Sequence, residues 1–422
     1  MPSSSHTAAP GNSKRTTLTV LAIALLLRVV VILFVLFRYP PGWLYTRGNE
    51  MGFLAQSLLF GQGLGSPFGV PTGPTAFIAP AYPILIAGIF KLFGIDSITS
   101  AVVILLIQAA AALLTIWLMM RIARTLFSPR AAMIAGLIWA CAPPLLFIPT
   151  IFWDTSLASC ALTGLVALVL ELRPNPSKIV WLGLGAFCGL IALLNSAMVF
   201  TTVALLVWLA AQAPRGARAR FLLAVCTFTI VFSPWPIRNA RVFHAFIPLR
   251  TTVGEELWMG NHPHSTGFLD ESLFPTYNAS ELAQYRQMGE LAFTRNKSAL
   301  AMDYIKQNPV TFLALSTRRV LRFWTGTGTQ NGSLLFAIYA AFTTLFGLIG
   351  LWRLIRGCRY ALAACFAIPL LVFPLPHYIT HAEFRYRLLI DPLLTILAAY
   401  AFTTFATKSD SPVELTEPAS DG

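Results

Sequence analysis

The chain has 422 residues, of which 56% are hydrophobic and only 11% charged, with a formal net charge of +13. Many of its apolar runs approach the ~20 residues that span a bilayer, so composition excludes a soluble enzyme and sets the class as an all-α polytopic membrane protein. The basic residues are scattered over many short loops with no aromatic-interleaved patch, which excludes nucleic acid as a partner and assigns the charge to topology and lipid contact.

In chain order, residues 1–17 form a Ser-, Pro- and Ala-rich tail expected to be disordered. A first helix near 18–37 lacks a small-residue cleavage site and runs into Arg38 and Tyr39, so it reads as a retained span and not a cleaved leader. Arg28 lies midway along it and must face protein or water, most simply in a buried structural pair. After an outer loop at 38–97, helices are expected near 98–120, 131–149, 155–172, 178–194, 197–213 and 220–236, completing an N-terminal module of 18–236. An outer-face segment, 237–333, precedes helices near 334–353, 360–376 and 386–406, within a C-terminal module of 334–406. A polar tail, 407–422, is again expected to be disordered. The total is about ten helices, without an internal repeat.

Alternating these helices from a cytoplasmic N-terminus places Lys14, Arg15, Arg121, Arg124, Arg130, Arg173, Lys178, Arg215, Arg218, Arg220, Arg353, Arg356, Arg359 and Lys408 inside, while the short outer connections near 150–154 and 195–196 hold none. It also leaves 12 of the 17 acids outside, among them Glu50, Asp154 and Asp391. The six cysteines (Cys141, Cys160, Cys188, Cys226, Cys358 and Cys365) lie in or beside apolar runs, with neither a disulfide framework nor a zinc spacing.

Within the first outer loop, MGFLAQSLLFG forms about two helical turns ending at Gly61, with Glu50 at their start. Two readings of Glu50 stand: an acid favoured there by the helix dipole with no chemistry, or an ionised base. Downstream, Pro71, Pro74, Pro80 and Pro83 punctuate an apolar stretch of about a dozen residues, too short to span and therefore expected at the outer interface.

The ordered set of NE at 49–50, GQGLGSPFG, GPTAFIAPAYPILIAGIFKLFG, FWDTSL at 152–157, SPWPIRNARVF at 233–243, GEELWMGN at 254–261 and HAEFRYRLLIDPLL at 381–394 resembles bacterial glycosyltransferases of the C-type (GT-C) fold. More narrowly, it is similar to family 39, which includes protein O-mannosyltransferases and aminoarabinose transferases. The resemblance implies transfer of a sugar from a polyprenyl-phosphate carrier to a lipid, glycan or protein acceptor at the outer, periplasmic face of a bacterial inner membrane. It also implies an acid of the first outer loop as base. The family usually has an Asp-Glu pair there; this chain has Asn49-Glu50.

On that reading, inverting transfer requires a carboxylate opposite the leaving group, a task for Glu50. Asp154 either caps the helix starting at Thr155 or lines the acceptor site beside Glu50. The lipid-phosphate leaving group calls for cations and hydrogen-bond donors, offered by His377, His381, Arg385, Tyr386 and Arg387. Arg387 is placed ahead of Arg385, which has Glu383 close by to pair with. PVTFLALSTRRVLRFW at 309–324 reads as an interfacial helix whose Arg318, Arg319 and Arg322 meet head groups or hold the carrier phosphate. Trp258, Asn261 and His262, with Asn49, are candidates for facing acceptor or sugar. No cofactor is assigned; His262 and His264 lack an assured third ligand, so no metal motif supports a divalent ion. The rival readings are a lipid-sugar transporter or flippase, which predicts a repeat relating two halves, and a catalytically degenerate relative.

Overall fold

The computed structural model describes residues 10–46, 48–172, 177–327 and 334–409; the tail expectations for 1–9 and 410–422 lie outside the described residues. Every regular element among the described residues is helical, apart from two isolated bridge pairs. Helix α1 (Pro10–Arg38) begins at Pro10, so the predicted disordered tail is helical over its last part.

Between α1 and the next long helix the chain folds as α2 (Asn49–Leu59) and α3 (Ala81–Phe93). It continues with α4 (Ile98–Leu126), α5 (Pro129–Cys141), α6 (Pro143–Phe147), α7 (Thr155–Glu171), α8 (Lys178–Leu194), α9 (Val199–Gln212), α10 (Phe221–Phe232) and α11 (Pro234–Phe243). Helices α12 (Val253–Gly260), α13 (Ala279–Met288), α14 (Glu290–Gln307) and α15 (Pro309–Thr325) build the segment that follows. The chain then closes with α16 (Leu334–Arg356), α17 (Tyr360–Val372), α18 (Leu375–Ile379), α19 (Phe384–Arg387) and α20 (Asp391–Ser409).

All ten predicted apolar segments are helical, yet their lengths differ. Four helices are long and apolar enough to cross a membrane, or up to six if two bent pairs each count as one span. Those pairs break at proline: by 61° between α5 and α6, and by 43° between α10 and α11. Pro143 has no N–H, so the carbonyl of Trp139 loses its donor four residues on. Arg28, 3% exposed, directs Nη2 toward that carbonyl at 3.5 Å and donates Nη1 to Ala24 at 3.1 Å. The expected buried pair is therefore corrected: the guanidinium of α1 serves a broken helix, and no ion pair to it is formed among the described residues.

One apolar core joins α4, α5, α7, α8, α9, α17 and α20; a second packs α2 and α3 against α4 and the chain after α11. A single carboxylate fastens the stretch before α3 to the segment that follows α11. Glu290, 5% exposed, accepts from Ala76 N at 2.8 Å, Thr251 Oγ1 at 2.6 Å, Tyr285 OH at 2.6 Å and the Thr75 hydroxyl. Beside it Arg238 donates to the carbonyls of Thr75 at 2.6 Å and Leu64 at 2.7 Å. The Gly- and Pro-rich stretch of the first loop is thus held by carbonyl and carboxylate contacts where it has no regular structure of its own.

Candidate active site

Gly48 precedes α2 with φ of +72°, a conformation costly for any residue with a Cβ. A Cβ there would lie 2.8 Å from the Phe152 carbonyl oxygen and 2.9 Å from Trp153 Cδ1. Glycine therefore lets the start of α2 press against the segment before α7, which brings Glu50 and Asp154 to the wall of one cavity.

That cavity has a volume of about 720 Å³. Its polar wall carries Asn49, Glu50, Asp154, Asn195, Arg250, Glu256, His377, His381, Glu383, Arg385 and Tyr386. Its lining also includes the apolar side chains of Phe147, Ile148, Ile151, Phe336, Phe373 and Leu389.

Both candidate acids are half-buried. Asp154 stands at the N-cap position of α7 but makes no side-chain capping bond; its Oδ2 accepts from Asn195 Nδ2 at 2.8 Å. Asn195 is itself fixed, its Oδ1 accepting from Ala197 N at 3.1 Å. Burial pushes the Asp154 carboxyl above the usual carboxylate range, opposed by Arg385, the Asn195 bond and Arg250. Burial likewise raises Glu50; its own backbone N–H and Arg385 oppose this, while Glu383 and Glu271 add to it. A carboxylate raised toward neutrality is a stronger base than an exposed one, and still ionises in the presence of a neighbouring cation.

Arg385 is the cation common to both acids. Its guanidinium carbon stacks 3.7 Å over the Trp153 ring while Nε donates to Glu383 at 2.6 Å. The ion pair with Glu383 helps hold its charge, raising its pKa against burial. Since Trp153 also abuts Gly48, one indole fixes the spacing between the Glu50 helix and this guanidinium. Tyr386 OH meets His381 Nε2 at 2.8 Å, and its ring stacks on His377 at 4.3 Å between centroids. Burial lowers His381, so it is neutral at pH 7.

Several predicted residues lie elsewhere. Arg387 was placed ahead of Arg385, and the order reverses: Arg387 is 1% exposed and spent within the helices. Its Nη2 meets Asp391 Oδ1 at 2.6 Å and Thr343 Oγ1 at 2.8 Å, and Nη1 donates to the Trp324 carbonyl at 2.8 Å. Arg319 is buried and donates to the Gly260 and Ile379 carbonyls and to Asn261 Oδ1. Arg322 donates to the Thr266 carbonyl at 2.6 Å and stacks 3.3 Å over Phe268, while Arg318 is exposed. None of the four borders the cavity, so the carrier-phosphate expectation for them is replaced by structural contacts, with Arg318 left for head groups.

Trp258, Asn261 and His262 also stand off the cavity. Asn261 Nδ2 donates to the Ile379 carbonyl at 2.9 Å, and His262 Nε2 lies 3.5 Å from Asp270 with Trp258 against its ring. Here α12 docks on the strand-like stretch after α18, where a Cβ on Gly260 would sit 1.6 Å from the Thr380 carbonyl oxygen. The cavity instead receives the opposite face of α12: Thr252, Glu255, Glu256 and Met259, together with Arg250. Arg250 Nη2 and Glu256 Oε1 pair at 3.1 Å, and Arg250 holds the Glu256 carboxyl below its usual range despite burial. The signal that finds this face is its i, i+3, i+4, i+7 spacing. For a metal the donor set does not assemble: among the described residues no group of three or more His, Cys, Asp or Glu is placed to hold an ion.

Residues 77–237 match the family model for dolichyl-phosphate-mannose-protein mannosyltransferase. The oligosaccharyltransferase of Archaeoglobus fulgidus in the apo form is similar at 16% identity, over 93% of this chain and 51% of that one, with a TM-score of 0.56. AglB of the same organism, in complex with an inhibitory peptide and a dolichol-phosphate, gives 17%, 93%, 50% and 0.54. ArnT from Cupriavidus metallidurans, bound to undecaprenyl phosphate, gives 15%, 93%, 79% and 0.39. A comparison with curated proteins gives no match. The chain spans about half the length of the archaeal structures it matches. Its architecture is that of the GT-C membrane enzymes, as the resemblance in the sequence implies.

Proposed function

We propose that this integral membrane protein of GT-C architecture is an inverting glycosyltransferase that moves a sugar from a polyprenyl-phosphate carrier to an acceptor at the outer face of the membrane. The observation that carries this reading is one cavity whose lining joins Glu50 and Asp154 to Arg385 and Arg250 and to a set of apolar side chains.

Glu50 takes the proton of an acceptor hydroxyl as its oxygen attacks the anomeric carbon. The bond from that carbon to the carrier's phosphate oxygen breaks, and the phosphate leaves with the electron pair. Arg385, held edge to edge with Glu383 and flat on Trp153, offers its remaining N–H groups to the departing phosphate, with Arg250 as second cation. Asp154, anchored by Asn195, orients the acceptor. The carrier's isoprenoid lies along Phe147, Ile148, Phe336, Phe373 and Leu389. Positive-inside patterning supports cytoplasmic termini and a periplasmic cavity in a bacterial inner membrane.

The test is Glu50→Gln, which keeps size and removes basicity. Turnover of a lipid-linked sugar by the purified variant should fall by roughly two to four orders of magnitude, with folding and carrier binding retained. In the wild type, turnover should rise with pH through a value above the ordinary carboxylate range, because burial raises the Glu50 pKa and the ionised form is the base. Wild-type turnover in Glu50→Gln would remove Glu50 as base and leave Asp154.

A further inference from the structure

Glu255 has no place in the mechanism above, yet it borders the same cavity. It is 2% exposed, and both carboxyl oxygens are buried without a hydrogen-bond partner. Leaving a buried acceptor unsatisfied destabilises the fold, and in a residue that lines a cavity a ligand is one means of offsetting this. The surroundings argue against a free anion. On its own helix Glu256 is already paired with Arg250. Facing it from α13 and α14 are Glu281 and Glu290, and Lys297, which also acts on it, is drawn to Glu281 at 2.7 Å. Burial and these neighbouring acids push Glu255 well above the carboxylate range, which favours its protonated form. A neutral carboxyl offers one O–H donor and one carbonyl acceptor, the pairing that a sugar hydroxyl answers.

Glu255 lines the cavity together with Arg250, and on the reading above the group bonded directly to a phosphate held by Arg250 is the donor's sugar ring. We propose that Glu255 is a specificity-determining residue that exchanges hydrogen bonds with a hydroxyl of the donor sugar. This rests on the glycosyltransferase reading above.

The experiment measures binding and transfer for polyprenyl-phosphate mannose, its four monodeoxy analogues and the bare polyprenyl phosphate. Wild type, Glu255→Gln and Glu255→Leu are compared after a thermal melt in detergent. In the wild type, one analogue should bind roughly 10- to 100-fold more weakly than the parent, the cost of a buried polar group left unpaired. Glu255→Leu should weaken the parent by a similar factor and abolish discrimination against that analogue alone, with bare-carrier affinity retained. Glu255→Gln, which keeps one donor and one acceptor, should lose no more than about fivefold. Discrimination unchanged in Glu255→Leu, or a parent bound no better than bare carrier, overturns the proposal and assigns Glu255 to buried water. Sugar-dependent binding without transfer would instead sink the catalytic reading and leave this inference standing.

Discussion

Replacing Gly48 by alanine tests how the site is held. The native φ of +72° costs an L residue ~1–2 kcal/mol. The new methyl would also stand 2.8 Å from a backbone oxygen and 2.9 Å from an indole carbon that carries Arg385 on its face, neither free to swing away. Overpacking of that kind adds ~1–3 kcal/mol, so destabilisation of about 2–5 kcal/mol is expected. Relief comes only by moving α2 off the Phe152–Trp153 segment, which displaces Glu50; a shift near ~1 Å costs about 10²-fold in turnover. Thermal unfolding in detergent and turnover below the melting point measure the two effects separately. Gly52→Ala is the control. It lies in the same helix with nothing within 4 Å of a Cβ, and alanine there should be neutral or stabilising by up to ~1 kcal/mol. Wild-type stability and turnover in Gly48→Ala would refute the account of how Glu50 is placed.

Three further outcomes are expected. Arg385→Ala should weaken binding of the carrier phosphate by roughly 10- to 100-fold and Arg385→Lys recover part of it, because an ammonium replaces the charge but not the planar fork; equal affinity in the Ala variant moves the phosphate to Arg250. Arg387→Ala should cost ~3–5 kcal/mol by stranding Asp391, with most of it regained in Arg387→Leu/Asp391→Leu; a melting point within a degree of wild type contradicts a structural role. Glu255 holds its proton more tightly folded than unfolded, so its contribution to stability is complete below the ordinary carboxylate range and is lost as pH rises toward its raised folded value. Chemical denaturation of the wild type should therefore show stability falling with pH above ~5, and Glu255→Gln should flatten that slope.

The ten apolar segments were legible as helices because long apolar runs announce themselves by composition, and the short helices of residues 38–97 by proline and glycine punctuation. Lengths were less so: whether α5 and α6 form one span depends on a bend at Pro143 and on Arg28 answering a carbonyl across two helices. Glu50, Asp154 and the His377 to Tyr386 stretch were legible as charged groups at helix ends, and they share the cavity. The ranking of Arg387 over Arg385 failed because Glu383, two residues from Arg385, looked like the stronger competitor. Asp391 sits one helical turn beyond Arg387 and consumes it, whereas Glu383 steadies Arg385 without withdrawing it. On α12 the visible aromatic and amide drew attention to Trp258 and Asn261, while helical phase places Glu255 and Glu256 on the cavity side.

The cavity wall also carries a consequence for the order in which the protein is made. Its acids come early, Glu50 and Asp154, and Arg250 follows midway, but Arg385 is among the last residues before α20. During synthesis the first helices are inserted while the guanidinium that both acids face has yet to leave the ribosome. Until it arrives, the two carboxylates share a half-buried space without the cation common to both, and protonation or an open, water-filled arrangement is favoured. Completion of the site is therefore a late event, coupled to docking of the final helices, and a nascent chain stalled before residue 380 would carry a cavity that lacks one wall of its polar lining.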